Sequence, residues 1–158
     1  MTKVKRIHKV TRNTNTIKNL TPFLPKNLFV AQTPDKGRGV FTSKFIKKGT
    51  VIEVSPMIVF GERDREKIND TLIYEYYFEW GKRGRKGALA LGFGSLYNHS
   101  YHPNARYNPD FDLNILEFEA LRNIKVGEEI TTNYNLDPDD DTPVWWEKDK
   151  IKNKKQHP

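Results

Sequence analysis

The sequence predicts a mainly β domain of short strands, on three observations. Apolar and β-branched residues come in short runs bounded by Gly, Pro, Asn or Asp. A frame Ile-Lys-x-Gly-x-x-Ile occurs twice, at residues 46–52 and 124–130, and reads as strand, glycine turn and strand. Helical patterning is limited to a charged span at 62–70 and a segment opening at Thr142, with 73–80 open between strand and helix.

Residues 1–26 lack apolar periodicity, are rich in Asn, Thr and Lys, and include Pro22 and Pro25, the composition of a flexible arm. Residues 28–31 read as the first strand, 34–39 as a turn and 40–43 as a second strand. The first copy of the repeated frame follows, and 57–60 make a further strand. In 62–70, Arg63 and Arg65 stand among acids at helical spacing, giving one short helix. The aromatic-rich stretch 73–80 fits a strand or a packed helix equally. Residues 81–87 form a basic, glycine-punctuated loop, either solvated or in contact with substrate or nucleic acid. Alternation at Leu113, Ile115, Leu116 and Phe118 suggests a strand pair turning near Asn108-Pro109-Asp110. A capping Thr142 with Pro143 at the first helical position opens a terminal helix through Trp145 and Trp146.

At 158 residues the chain suits one domain, 27–146, between a basic arm, 1–26, and a basic tail, 147–158. No apolar run approaches a membrane span and no signal-peptide core is present, so a soluble intracellular protein is expected, cytoplasmic or associated with chromatin or nucleoid. The absence of cysteine excludes disulfides and thiolate-held metals. The net charge of +7 is uneven. Residues 1–26 carry seven cations and no acid, 147–158 carry five cations against two acids, and the body between is left at −3. Each basic end is either a solvated tail or a holder of nucleic-acid phosphates.

Three separated pieces carry the chemistry. They are Lys36-Gly37-Arg38-Gly39-Val40-Phe41; Gly94-Ser95-Leu96-Tyr97-Asn98-His99-Ser100 with Pro103-Asn104; and Gly127-Glu128-Glu129-Ile130-Thr131-Thr132-Asn133-Tyr134. Taken singly, Tyr134, Tyr107, Tyr76 and the tryptophans read as sheet core. His99 and His102 in a proline-containing loop make a poor metal pair, and 137–141 lacks the glycine and glutamate spacing of a calcium loop, so no metal is expected. In order and spacing, however, the three pieces resemble the SET-domain family of protein-lysine methyltransferases, closest to its compact viral and prokaryotic members, over about residues 28–146.

That resemblance implies a β-clip, SET-like fold with a knot-like crossing of 98–100 and the strand before Tyr134. It implies S-adenosylmethionine as methyl donor and co-substrate, and a protein lysine as acceptor. Lys36, Gly37, Arg38, Gly39 and Phe41 would cradle the methionine part of the donor, Asn98 its ammonium and backbone groups of His99 its adenine. Trp145 or Trp146 would stack on the adenine. Tyr134 would be the catalytic tyrosine, with Tyr107 beside it, and Tyr76, Phe78, Tyr107 and Thr132 would line the lysine channel.

The chemistry suits these residue types. A free lysine, with a pKa of about 10.4, keeps its lone pair blocked near neutrality. An apolar aromatic channel and a neighbouring sulfonium both lower that pKa, so water can take the proton. Carboxylates would instead hold the lysine as an ion pair. The sequence departs from the family pattern in several places: no zinc-binding cysteines follow Tyr134, Thr132 stands where many members have Phe or Tyr, Ser55-Pro56 replaces Tyr-x-Gly, and Asn133 and Asn135 replace Asp and Gly. The acidic body, including Asp110, Asp112 and 137–141, suits a basic histone-like or ribosomal segment as substrate. The alternative is a non-catalytic module of the same fold that binds nucleic acid or chromatin through its basic ends. Homodimerisation is compatible with either.

Overall fold

The structure is a computed structural model and describes residues 25–147. The described chain is mainly β, as expected, in two sheets. β1 (Leu28–Gln32), β2 (Arg38–Thr42), β6 (Asn98–His99) and β9 (Glu129–Thr132) form one sheet, in the order β1-β2-β9-β6. β3 (Val51–Phe60), β4 (Tyr77–Trp80), β5 (Lys86–Ala90), β7 (Ala105–Asp110) and β8 (Ile115–Ala120) form the other, in the order β4-β5-β3-β8-β7. One helix, α1 (Glu62–Ile68), follows β3, and none of its residues is buried. Among the described residues, no helix is long and apolar enough to cross a membrane.

The repeated frame has a structural meaning. Ile46 and Ile124 form an antiparallel bridge, each N–H donating to the other's carbonyl at 3.0 and 2.8 Å. Three residues on, Gly49 N–H donates to Ala120 and Gly127 N–H to Thr42, and each acceptor lies four residues before the partner isoleucine. Ala120 N–H returns a bond to Thr50, and Thr42 N–H to Glu128. The two copies therefore clasp one another about a local twofold axis. Both isoleucines are buried, at 4% and 0% exposure, so the clasp lies at the junction of the sheets. The glycines have φ of +79° and +77°, the left-handed region that side chains disfavour.

β3 is the central strand, and it joins two pieces that the sequence read separately. Residues 51–56 pair with β8 and 57–60 with β5, and the successive burial of 52–55 shows that both faces of its first half are covered. Pro56 falls at the changeover, where its carbonyl accepts Leu91 N–H at 3.0 Å. The ambiguous stretch 73–80 divides: Leu72–Glu75 is a 3-10 turn capped by the Thr71 hydroxyl, and β4 follows.

Two expectations need correction. The β7–β8 turn lies after Asp110, not at 108–110, because Pro109 remains in register opposite Leu116. Asp110 Oδ1 instead accepts from Asp112 and Leu113 N–H, and Asn114 takes φ +51°. Neither Thr142 nor Pro143 starts the terminal helix, whose described turn comprises residues 145–147. Thr142 N–H is held by Asp140 Oδ1, and residues 141–144 are not helical. The arm, apart from residues 25–26, and the tail beyond 147 lie outside the described residues.

The clasp predicts that Gly49→Ala and Gly127→Ala each destabilise the fold by about 1–2 kcal/mol. A Cβ at either position meets nothing within 4 Å, so the cost is conformational and not steric. Urea midpoints at unchanged m-value would measure it.

Candidate active site

β6 is only two residues long, yet it fixes the site. It pairs in parallel with β9, Asn98 opposite Thr131 and His99 opposite Thr132, and Ser100 N–H continues the ladder to the Thr132 carbonyl at 2.9 Å. This is the form taken here by the expected meeting of 98–100 with the strand before Tyr134. Asn104, 1% exposed, locks the arrangement: its Nδ2 donates to the Glu129 carbonyl at 2.7 Å and its Oδ1 accepts Thr131 N–H at 2.9 Å.

Beside this crossing lies a cleft of about 1040 Å³, among whose walls are Lys36, Gly37, Arg38, Asn98, His99 and Tyr134. Tyr76, Trp145 and Trp146 also line it. The remaining expected site residues, Gly39, Phe41, Phe78, Tyr107 and Thr132, do not line the cleft. Gly39 is a close approach: a Cβ there would stand 2.8 Å from Asn98 Nδ2 and against Glu129 Oε1. Phe41 stacks on Phe29, with centroids 5.8 Å apart, at the outer end of the sheet. Thr132 is buried under the ladder to His99. Phe78 packs edge-on against Tyr107 at 5.4 Å, and the Tyr107 hydroxyl donates to the Tyr134 carbonyl at 3.1 Å.

Tyr134 is held at three points. Its N–H donates to His99 Nδ1 at 3.2 Å, its hydroxyl donates to the Tyr97 carbonyl at 2.8 Å, and its ring stacks on Trp145 at 5.9 Å. Burial, with Glu129 and Tyr76 nearby, pushes the phenol up to about 12, so it stays neutral across the physiological range. With its proton committed to Tyr97, the oxygen has lone pairs left to face an electron-poor neighbour.

Sequence reasoning missed the support beneath. Glu53, 1% exposed, accepts Phe93 N–H at 2.9 Å and the Tyr97 hydroxyl at 2.8 Å. Burial lifts its carboxyl above the usual range against those two donors. Glu53 thus anchors the Tyr97 side chain, whose backbone carbonyl receives Tyr134. A carboxylate inside the apolar run Val51-Ile52-Glu53-Val54 was the available signal. Asn133 and Asn135, departures from the family pattern, tie down the acidic loop: Asn133 Nδ2 donates to the Asp140 carbonyl at 2.8 Å and Asn135 Nδ2 to Thr142 at 2.6 Å.

Asn98 Nδ2 donates to the Arg38 carbonyl at 3.1 Å and to Glu129 Oε1 at 2.8 Å. Lys36 Nζ reaches the His99 carbonyl at 3.3 Å. Since His99 Nδ1 accepts from Tyr134, the neutral ring carries its proton on Nε2, and that N–H is buried without a hydrogen-bond partner. Trp146 meets the His99 ring edge-on at 5.7 Å. The strap bearing both tryptophans is fastened by Tyr101, whose hydroxyl donates to Glu147 Oε2 at 2.7 Å and accepts Val144 N–H at 3.2 Å. Among the described residues, no group of three or more His, Asp or Glu is arranged to hold a metal ion.

Burial lowers the His99 pKa, with Glu147 opposing and Lys36 reinforcing the shift. The unfolded chain therefore takes up this proton first, and the contribution is held above about pH 6.5 and lost as pH falls toward the folded pKa. Urea midpoints between pH 7.5 and 5.5 are expected to drop for the native chain, and to drop less for His99→Asn.

Comparison with known proteins gives the family. The SET domain family matches residues 37–135. A Schizosaccharomyces pombe (strain 972) protein named "Histone-lysine N-methyltransferase, H3 lysine-37 specific" is 38% identical over 114 residues, spanning 72% of this chain and 76% of the relative. The crystal structure of a Plasmodium falciparum protein, a candidate histone methyltransferase, superposes with a TM-score of 0.54 at 27% identity, covering 78% of this chain and 99% of that one. The matched span contains the crossing at Asn98 and His99 as well as Tyr134, and the chain belongs to the SET-domain family of protein-lysine methyltransferases.

Proposed function

We propose that the chain transfers a methyl group from S-adenosylmethionine to the ε-amine of a lysine in a basic, histone-like protein segment. The observation that carries this reading is the Tyr134 hydroxyl, bonded to Tyr97 and backed by His99, beside a cleft of about 1040 Å³. That volume is ample for a nucleoside-sized ligand. The cleft residues also fit the donor's groups. Lys36 and Arg38 offer cations to its carboxylate, Asn98 keeps Oδ1 to accept from its ammonium, and the buried His99 Nε2–H lacks an acceptor that a bound ligand would supply. Gly39 lets Asn98 approach the Arg38 backbone closely, and Trp146 beside His99 offers its face to a purine.

When bound, the sulfonium donor supplies an electrophilic methyl whose C–S bond breaks as the lysine N–C bond forms. The bonding pair leaves with sulfur, and the amine's proton passes to water. The chain supplies positioning, which holds the reacting atoms in line at about 3 Å. Aromatic walls at Tyr76, Tyr134 and Trp145 disfavour the ammonium form of the lysine. The Tyr134 oxygen and the Tyr97 carbonyl present negative dipoles to the positive charge spread over the transferring methyl. The exposed acids Asp137, Asp139 and Asp141 close to Tyr134 in sequence suit a basic peptide, and both relatives are named for histones. Thr132 leaves the number of methyls accepted to the size of the neighbouring aromatics.

Tyr134→Phe is expected to lower turnover at least about 10²-fold while thermal stabilisation by S-adenosylmethionine persists; retained turnover would reject the role. Because the phenol stays neutral up to about 12, kcat/KM is expected to climb with pH through 9 as the lysine loses its proton, with no tyrosine-dependent fall there. Gly39→Ala, by displacing Asn98 and Glu129, is expected to weaken donor binding by about tenfold or more, measurable by calorimetry.

A further inference from the structure

The described residues are net acidic, and two acid-free stretches stand against that: 36–52, whose five cations are spread out with Lys36 and Arg38 at the cleft, and the denser 81–87. Residues 81–87 carry four cations and no acid, whereas the other described residues carry 12 cations against 19 acids. These four, Lys82, Arg83, Arg85 and Lys86, are all exposed and concentrated at the tip of the β4–β5 hairpin. None of them forms an ion pair among the described residues.

The tip is pre-shaped. Gly81 and Gly84 take φ of +85° and +60°, and Gly84 N–H closes the turn onto the Gly81 carbonyl at 2.9 Å. A fifth cation, Arg65 of α1, acts as a staple and not as part of the patch. Its Nη1 donates to the Gly84 carbonyl at 2.5 Å, its Nη2 to Glu79 at 2.5 Å and its Nε to the Tyr77 hydroxyl at 3.0 Å. Arg65 therefore neutralises Glu79, the acid nearest the tip in sequence, and fixes the turn from below. The arrangement keeps four like charges together on a rigid support and removes the local counter-charge, which is costly unless an external polyanion is met.

We propose that this hairpin tip is a docking surface for the phosphodiester backbone of a nucleic acid, separate from the cleft and additional to methyl transfer. Two arginines and two lysines crowded on one turn match a row of phosphates and carry no base-reading geometry, so the contact is expected to be sequence-independent. Basic segments also stand at both ends of the chain. A continuous polyanion can engage several separated cationic segments at once, which a single acidic peptide cannot. The acidic remainder of the body would be repelled by the same polymer, so the tip would also orient the protein on it.

The test is fluorescence anisotropy of the full chain with a 30-base-pair duplex of arbitrary sequence, over a sodium chloride series. For K82Q/R83Q/R85Q/K86Q, the slope of log Kobs against log salt is expected to fall by about 2–4, since each phosphate contact contributes about 0.9. Affinity near 0.1 M salt should drop about tenfold or more. R83K/R85K keeps the charge and should retain the native slope. Loss of binding in R83K/R85K whose urea midpoint is native would show a bidentate arginine site and would overturn the electrostatic assignment. Unchanged slope and affinity in the quadruple Gln variant, with loss only when Lys3, Lys5, Arg6 and Lys9 are replaced by Gln, would overturn the proposal in favour of the N-terminal arm. Displacement of the duplex by polyglutamate at equal charge concentration would overturn it in favour of an acidic protein partner. Methylation of a short free peptide by the quadruple variant should be unchanged, so failure of the docking surface and failure of the methyltransferase reading give different results.

Discussion

Two rungs of parallel ladder, Asn98 with Thr131 and His99 with Thr132, are the constraint on which the site depends. Parallel pairing of segments so close to the cleft cannot be made by a hairpin. The chain reaches it only by carrying β7 and β8 around and returning through the second clasp. Once the rungs are made, the residues following each strand emerge together: Ser100 and Tyr101 on one side, Asn133 and Tyr134 on the other. The Tyr134 N–H then has His99 Nδ1 as its acceptor, which sets the tautomer of the imidazole and the position of the phenol at once.

The energetics around this crossing are polar to an unusual degree for a buried region. Glu53, Asn104, Thr131, Thr132 and Asn133 are all less than a tenth exposed. Isolated, such groups would each cost about 1–3 kcal/mol. Here the donors and acceptors answer one another: Asn104 holds β9, Asn133 holds the acidic loop, and Glu53 holds Tyr97. An apolar core would be as compact but would permit alternative registers. The directional bonds select one, and a site in which a hydroxyl must face a reacting carbon needs that selection.

Much of the fold was legible in the sequence because strand runs and glycine turns are local signals. The duplicated frame was visible as a repeat of residue types, but its meaning, a mutual clasp, was not, since pairing between residues 46 and 124 leaves no local trace. The β7–β8 turn was misplaced because Pro109 suggests a turn, while register with Leu116 overrides that preference. The cleft residues Asn98, His99 and Tyr134 were readable through motif order. Glu53 and Tyr97 were not, because their roles depend on which side chains meet across the sheet. The asparagines flanking Tyr134 were read only as departures, and coordinates were needed to show that they tether 137–142.

The clasp between the two Ile-Lys-x-Gly segments also bears on how the molecule is acquired. Each turn completes its bonds only on the strand that leads into the other, so neither half of the chain holds a finished nucleus. Such long-range closure must be paid in loop entropy before any reward arrives, and relative contact order of this kind slows folding. A ribosome-bound fragment lacking residues beyond 124 would leave the Gly127–Thr42 and Thr42–Glu128 bonds unmade and the clasp open.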